Sequence, residues 1–492
     1  MRLLESMKIV VGYPPTRSAK GLALLSQNRQ FQWFSHETRI FPVVLAGAAT
    51  MAQQAGHKVI WKDAIAENMD TDEFRTFLRR EKPDLFLFET KTPVVRLHWL
   101  TAQALKSEFP ALQLVVCGDH VTARPEETLQ NAPVDFVLCG GDYDFLLGDL
   151  LRHLTTGAPL PGGIVYRQNG QIAGHKHFEL NHKLDEAPFI DRRLTRWDLY
   201  QKEYNLRGHP FMYIMSGRDC WHGKCTFCAW TVMYPRFRVR SPENVLDEIG
   251  RLIDEYQVTE IFDDSGTLNT GPWLARLCEG LQQRGYSRKI RYSCNMRFGA
   301  LEKKDYEMMR QAGFRLLKFG LESANQETLD RLQKKTRVEQ IEEGCRWAKE
   351  AGLTVHLTMI VGFPWETRED ALRTLGLARK LMLTGKADLL QATTVVPYPG
   401  TPLYEQALKE NGFLFDPQEY ERFDMNEPVL KTRMSPEEVR KICGQIYSIF
   451  LSPRYMWHRL KAIRGWDDIA FLLRGARAVL GHLKDFGRAK RI

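Results

Sequence analysis

Short, nearly unbroken apolar runs alternate with longer stretches whose apolar residues recur every three or four positions, from the N-terminus to about residue 165. The runs KIVVGYP, HKVIWKD, PDLFLFET, QLVVCGD and DFVLCGG have the length and composition of strands buried on both faces. Between them, FPVVLAGAATMAQQAG, VRLHWLTAQALKSEF and TARPEETLQN have helical spacing, and Gly56 and Pro110 stand where the first two helices should end. Five such steps predict a Rossmann-like α/β domain over residues 1–165, a fold that binds ligands at the carboxyl ends of its strands. The residues placed there are Pro14, Pro15, Thr16, Thr90, Gly118, Asp119, His120, Gly140 and Gly141.

Residues 166–208 are more polar and read as a linker, with YRQNGQIAG folding as a hairpin across Asn169-Gly170. A second series then begins with FMYIMSG, EIFDDSG, IRYSCNMR, RLLKFGLES, VHLTMIVGF and LLQATTVV, separated by helical stretches. Six strands of this kind predict a partial (β/α)6 barrel over 209–425, with its active site at the carboxyl ends of the strands. From 426 to 492 the pattern is helical.

Composition adds limits. In 492 residues, 43% are apolar and 26% charged, the balance of a soluble globular protein, and no run approaches a membrane span. The N-terminus lacks the apolar core of a signal peptide, so a cytoplasmic location is expected. Net charge is +9, and residues 452–492 hold ten Lys/Arg against three Asp, so the tail carries most of it. A near-neutral body argues against a nucleic-acid partner. Within 466–483, Trp466, Ile469, Leu473, Ala476, Leu480 and Leu483 predict a basic amphipathic helix. Such a helix suits peripheral contact with the inner face of a membrane, or packing against the barrel with its cations in water.

Nine cysteines without an export signal favour thiols or metal ligands over disulfides. Directly after the first barrel strand, GRDCWHGKCTFCAW places Cys220, Cys225 and Cys228 within nine residues. Three thiolates can hold three irons of a [4Fe–4S] cube and leave the fourth open to a ligand that is not protein. A structural zinc site would need His222 as fourth ligand, and three unrelated cysteines are the other alternative. Cys117 and Cys139 stand 22 positions apart at strand ends, and Cys278, Cys294, Cys345 and Cys443 lie singly, as buried small hydrophobes do.

From residue 209 to about 425 the chain resembles the radical S-adenosylmethionine (radical SAM) superfamily. Cys225-Thr-Phe227-Cys228 matches its CxxC half, whereas four residues separate Cys220 from Cys225 where that family usually has three. The resemblance implies a [4Fe–4S] cluster on the three cysteines and an S-adenosyl-L-methionine cosubstrate contacted near Phe227. It further implies that Asp263, Asp264 and Ser265 hold the cosubstrate's amino group, that Glu322 in Gly320-Leu-Glu322-Ser323 accepts from its ribose hydroxyls, and that adenine packs on the segment around Gly362. Val396-Pro-Tyr-Pro-Gly400-Thr-Pro-Leu is a further match.

A Rossmann-like domain ahead of such a barrel resembles the cobalamin (B12)-binding subgroup, with Thr90, Gly118, Asp119, His120, Gly140 and Gly141 implied at the corrin's edge. No Asp-x-His-x-x-Gly motif is present, so no histidine is expected below cobalt. An NAD site is disfavoured, since no G-x-G-x-x-G follows the first strand. The expected function is a cobalamin-dependent radical SAM methyltransferase acting on an unactivated carbon of a small-molecule or lipid-like substrate, fed by an external electron donor such as flavodoxin or ferredoxin. Its alternatives are a cyclase or oxidoreductase using the same cofactors without methyl transfer, and a non-catalytic corrinoid-binding sensor or carrier.

Overall fold

The computed structural model describes residues 6–461 apart from 26–30, 35–36 and 203–204, together with 463, 465, 469 and 471–476. Five parallel strands, β1 (Lys8–Tyr13), β2 (Lys58–Asp63), β3 (Leu85–Glu89), β4 (Gln113–Cys117) and β5 (Phe136–Leu138), form the first sheet in the order 2-1-3-4-5. Every residue of β3 is buried, as a central strand covered by helices on both faces requires. The expected hairpin is present as β6 (Ile164–Gln168) and β7 (Gln171–Gly174). Its turn has φ of +51° at Asn169 and +79° at Gly170, the left-handed pair that a two-residue connection needs. It is not part of a linker, however. β6 pairs antiparallel with β5 and extends the first sheet to seven strands.

The second sheet contains β8 (Phe211–Ile214), β9 (Glu260–Asp263), β10 (Arg291–Met296), β11 (Phe314–Glu322), β12 (Thr354–Val361) and β13 (Leu389–Thr394), all parallel and in chain order. Helices between them begin where short polar side chains cap them. Ser241 accepts from the Asn244 amide, and Thr367 and Asp370 form a capping box. Past 426 the helices Pro436–Tyr447 and Pro453–Lys461 follow, and the Tyr447 hydroxyl bonds both backbone groups of Ala392, covering the edge of β13. The helix expected over 466–483 falls mostly outside the described residues. Among those described, no helix is long and apolar enough to cross a membrane.

The two sheets meet at the carboxyl ends of their strands. One hydrophobic core runs unbroken from the first sheet through Tyr213, Trp230, Tyr234 and Phe262 to Val395, Tyr398 and Phe423. A second core lies between the barrel strands, their helices and Pro436–Tyr447.

Candidate active site

Beyond β8 the chain passes through Gly217–Arg218, which pairs with Arg238–Val239, and the loop closed by that pair carries the three cysteines. Each of them is pinned by backbone. Cys220 bridges to Thr267 after β9, and its sulfur donates to the Thr267 hydroxyl at 3.2 Å. Between the other two, the Thr226 amide donates to Leu332 and its carbonyl accepts from Leu403, while the Cys228 amide folds back to Cys225 at 3.3 Å. The additional residue in the first spacing lies in a turn at Gly223, with φ +55°. All three cysteines line a cavity of about 210 Å³. Burial pushes the Cys225 thiol up to about 11, against the opposing pull of Lys334.

Nε2 of His222 is 2.7 Å from the Gln333 carbonyl, so this nitrogen is taken by backbone and the zinc alternative loses that donor. Among the described residues, no three Cys, His, Asp or Glu side chains converge closely enough to hold one metal ion. Thiolates of a [4Fe–4S] cube each bind a different iron and need not converge.

Most of the cavity wall comes from alternate positions on neighbouring strands, Asn295 and Arg297 at the end of β10, Lys318, Gly320 and Glu322 on β11, Thr358 and Ile360 on β12, and Gln391 and Thr393 on β13, with Met296 and Met359 between them. A period of two is what an inward-facing wall of parallel strands requires. At Glu322 the ladder to β12 slips and φ turns to +57°, which swings its carboxylate onto Lys334. Glycine at 320 leaves this pair its place, because a Cβ there would lie 2.2 Å from Glu322 Oε1 and 2.5 Å from Lys334 Nζ and would push both side chains aside. Phe227 also lines the cavity.

Other expected contacts are used up elsewhere. Asp263 is fully buried, its Oδ1 accepting from the Ser216 amide and from the Ser265 amide and hydroxyl, and its Oδ2 from Tyr292. Ser265 accepts from the Gly217 amide, and Asp264 from Asn295. These three residues tie the ends of β8, β9 and β10 together, while the next two, Gly266 and Thr267, are the ones that face the cavity. Gly362 has φ +95° and sits under Val439 of the helix Pro436–Tyr447, not against the cavity.

At the first sheet's edge the implied residues are covered by protein. Gly118 passes over the Thr90 carbonyl, 2.1 Å from where a Cβ would be. The Thr90 hydroxyl bonds His98, and Asp119 accepts from the His120 amide and lies 3.6 Å from Lys91. His120 is fully buried, with Nδ1 on Thr92 and its ring against Tyr420 at 4.6 Å, and burial drives its pKa down to about 3. The ring of Phe178 fills the space over Gly140, and that of Tyr234 the space over Gly141, 1.9 Å from a Cβ position. Asp142 next accepts from both guanidinium nitrogens of Arg238 and from Arg218, which also reaches Asp144. Burial would raise the Asp142 carboxyl, but His182 and the two arginines hold it below the ordinary carboxylate range. The Gly140-Gly141-Asp142 turn is thus where the cluster loop docks on the first sheet.

The family model of the radical SAM superfamily matches residues 214–378, the span that runs from the end of β8 through the cysteine loop and β9 to β12. The chain carries a radical SAM domain. An uncharacterized methyltransferase of Pyrococcus horikoshii is 27% identical over 493 residues, covering 99% of this radical SAM protein and 100% of the relative. Anaerobic magnesium-protoporphyrin IX monomethyl ester cyclase of Cereibacter sphaeroides is 25% identical, over 90% of this chain and 71% of its own. The structure of the radical SAM methyltransferase TsrM from Kitasatospora setae, with cobalamin and a [4Fe–4S] cluster bound, superposes with TM-score 0.67 at 14% identity, over 97% of this chain and 99% of that one. Both sheets of the radical SAM protein are therefore in a shared fold.

Proposed function

We propose that the protein is a cobalamin-dependent radical SAM methyltransferase acting on an unactivated carbon of a small molecule. The observation that carries this reading is the meeting of two carboxyl edges, with Cys220, Cys225 and Cys228 opening onto a cavity that also touches Met425, whose amide donates to the carbonyl of Phe31, a residue of the first domain's core. In this reading residues 1–165 with their hairpin hold the corrinoid, 209–425 hold the cluster and cosubstrate, and the helices past 426 brace the barrel. When bound, the cluster would supply the one electron that splits S-adenosylmethionine into methionine and a 5′-deoxyadenosyl radical, and cobalamin would supply the methyl carrier.

The chain's own part is binding and placement. Cys220, Cys225 and Cys228 hold three irons, and Arg297 and Lys318 offer cations to a carboxylate. Glu322, held by Lys334, accepts from hydroxyls. Met359, Ile360, Phe227 and Met425 keep the cavity wall dry around a reactive centre. Corrin contacts are expected from residues other than Gly140 and Gly141, which the rings of Phe178 and Tyr234 cover. An external flavodoxin or ferredoxin would deliver electrons.

A second reading, oxidative cyclisation without methyl transfer, is favoured by the similarity to the cyclase. One experiment separates the two: reconstituted protein incubated with SAM, reductant and cobalamin, scored for 5′-deoxyadenosine and S-adenosylhomocysteine. Both products are expected. Deoxyadenosine alone would support the cyclase reading, and neither product would remove both.

A further inference from the structure

The barrel's opposite face, at the amino ends of its strands, has a feature that the active site does not explain. The helix Pro453–Lys461 is anchored there by its inner face, where the Tyr455 hydroxyl donates to the Asp388 carbonyl and Arg459 pairs with the Asp388 carboxylate. Its outer face exposes Met456, Trp457 and Leu460 at 48%, 58% and 58%. At 100° per residue these three fall within one arc of about 100°, and Arg454 and Lys461 lie together beside its Trp457 edge. Lys461 Nζ lies 4.8 Å over the Trp457 ring. Leu451 and Leu473 are exposed nearby in sequence, so five of the seven large hydrophobic residues most exposed among those described belong to 451–473.

Beside this helix is a cavity of about 620 Å³ lined by Arg288, Lys289, Arg291 and Arg310. Among the described residues, none of these four pairs with a carboxylate. Phe471 connects the two features, its buried ring 5.0 Å from Arg207 of the cavity and 6.0 Å from Arg459 of the helix. Unpaired cations gathered in one concavity repel each other, and an apolar arc left in water costs free energy. An anionic bilayer surface relieves both at once, with phosphate headgroups entering the basic cavity and Trp457, Met456 and Leu460 entering the headgroup layer.

We propose that this face docks on an anionic phospholipid surface. An acidic protein partner would be met by the cations but would leave the Trp457 arc without a reason. A second copy of this chain would bring the same positive charge. The site lies opposite the cysteine cavity, so docking tethers the enzyme and does not feed the cavity directly, and it stands whether or not the methyltransferase reading does.

The test is co-sedimentation of the full chain with vesicles of phosphatidylcholine containing about one third phosphatidylglycerol, compared with phosphatidylcholine alone. Binding is expected only to the anionic vesicles, falling roughly tenfold or more from low to about half-molar salt. W457A/L460A and R454E/K461E should each lower binding about tenfold, and R288E/R291E by a similar factor, with iron content and thermal midpoint unchanged. Equal binding to neutral vesicles, no binding at low salt, or a W457A/L460A variant that binds as the parent does would overturn the proposal. So would a dimer, by sedimentation equilibrium, that W457A/L460A converts to monomer. Should that variant aggregate, the salt and lipid dependence of the unaltered protein decides the matter alone.

Discussion

Glycines mark strand ends in both halves of the molecule, and they lead to opposite environments. On the barrel, Gly320 leaves room for the Glu322–Lys334 pair, which faces an open cavity. In the first domain, Gly140 and Gly141 leave room for the rings of Phe178 and Tyr234, so the free space is already taken by protein. A glycine at a strand end therefore announces a close approach without naming what approaches. Local sequence cannot tell a ligand from a side chain 93 residues away, the separation of Gly141 and Tyr234.

If the barrel edge is the chemical one, the largest effect belongs there. Cys225→Ala leaves two thiolates for a cube that needs three, and we expect loss of iron, sulfide and colour with 5′-deoxyadenosine falling by about a thousandfold or more. An anaerobic reconstitution with iron and sulfide quantified checks this. Retained iron and turnover would place the chemistry elsewhere.

On the first-domain side, Asp142→Asn should act on stability. It keeps the shape and removes the charge that two buried arginines face, and breaking such a pair costs about 3–5 kcal/mol. We expect a lower denaturation midpoint and faster proteolysis between residues 174 and 208, with iron content per folded molecule unchanged. If the only loss were in cobalamin binding, the turn would be a corrin edge after all.

Much of the fold is written locally. All eleven strands named from apolar runs are present, and the Asn169-Gly170 turn is where its residue types demand. The linker was misread because polar composition cannot distinguish an exposed edge hairpin from a connector. In the site, the cysteine loop, Phe227 and Glu322 were legible from motifs. Lys318, Thr358 and Thr393 went unnamed although they were legible: Lys318 is a lysine within the apolar run RLLKFGLE at the same parity as Gly320 and Glu322, and the two threonines follow the same alternation. Lys334 was not, since positive φ at Gln333 and Lys335 decides which lysine of the pair turns inward. Asp263 shows the limit of the motif, because an aspartate after a strand reads the same whether it meets a ligand or, as in this fold, Tyr292 and three donors of its own chain.

The comparison sharpens further at Gly141. Gly141→Ala should cost about 3 kcal/mol, since its Cβ would overlap the Tyr234 ring and overpacked sites lose roughly this much. Adding Tyr234→Ala should return part of it, which a thermal or urea denaturation series would read as a coupling between the two positions. Additive losses, or a Gly141→Ala variant as stable as the parent but unable to bind cobalamin, would show that Tyr234 yields to a ligand.

The smallest effect separates two glutamates, one at each carboxyl edge. Glu322 touches Lys334, whereas Glu89 is fully buried with Lys91 no closer than 3.9 Å and the Tyr13 hydroxyl donating to it at 2.7 Å. Burial outweighs Lys91 and Tyr13 and raises the Glu89 carboxyl from 4.5 to about 7. Between those two values the folded chain keeps the proton that the unfolded chain has released. Unfolding free energy therefore falls as pH rises through this window, and the contribution is fully present only below the unfolded value. Glu89→Gln removes that share, so its stability should decline less between about pH 5 and pH 7.5 than the parent's, by about 2 kcal/mol. Asp63 and Asp424, raised by burial to about 6 and about 7, keep the variant from becoming flat, so the difference between the two curves is the quantity to measure. Parallel curves would mean that Glu89 is charged throughout and that Lys91 serves it as closely as Lys334 serves Glu322.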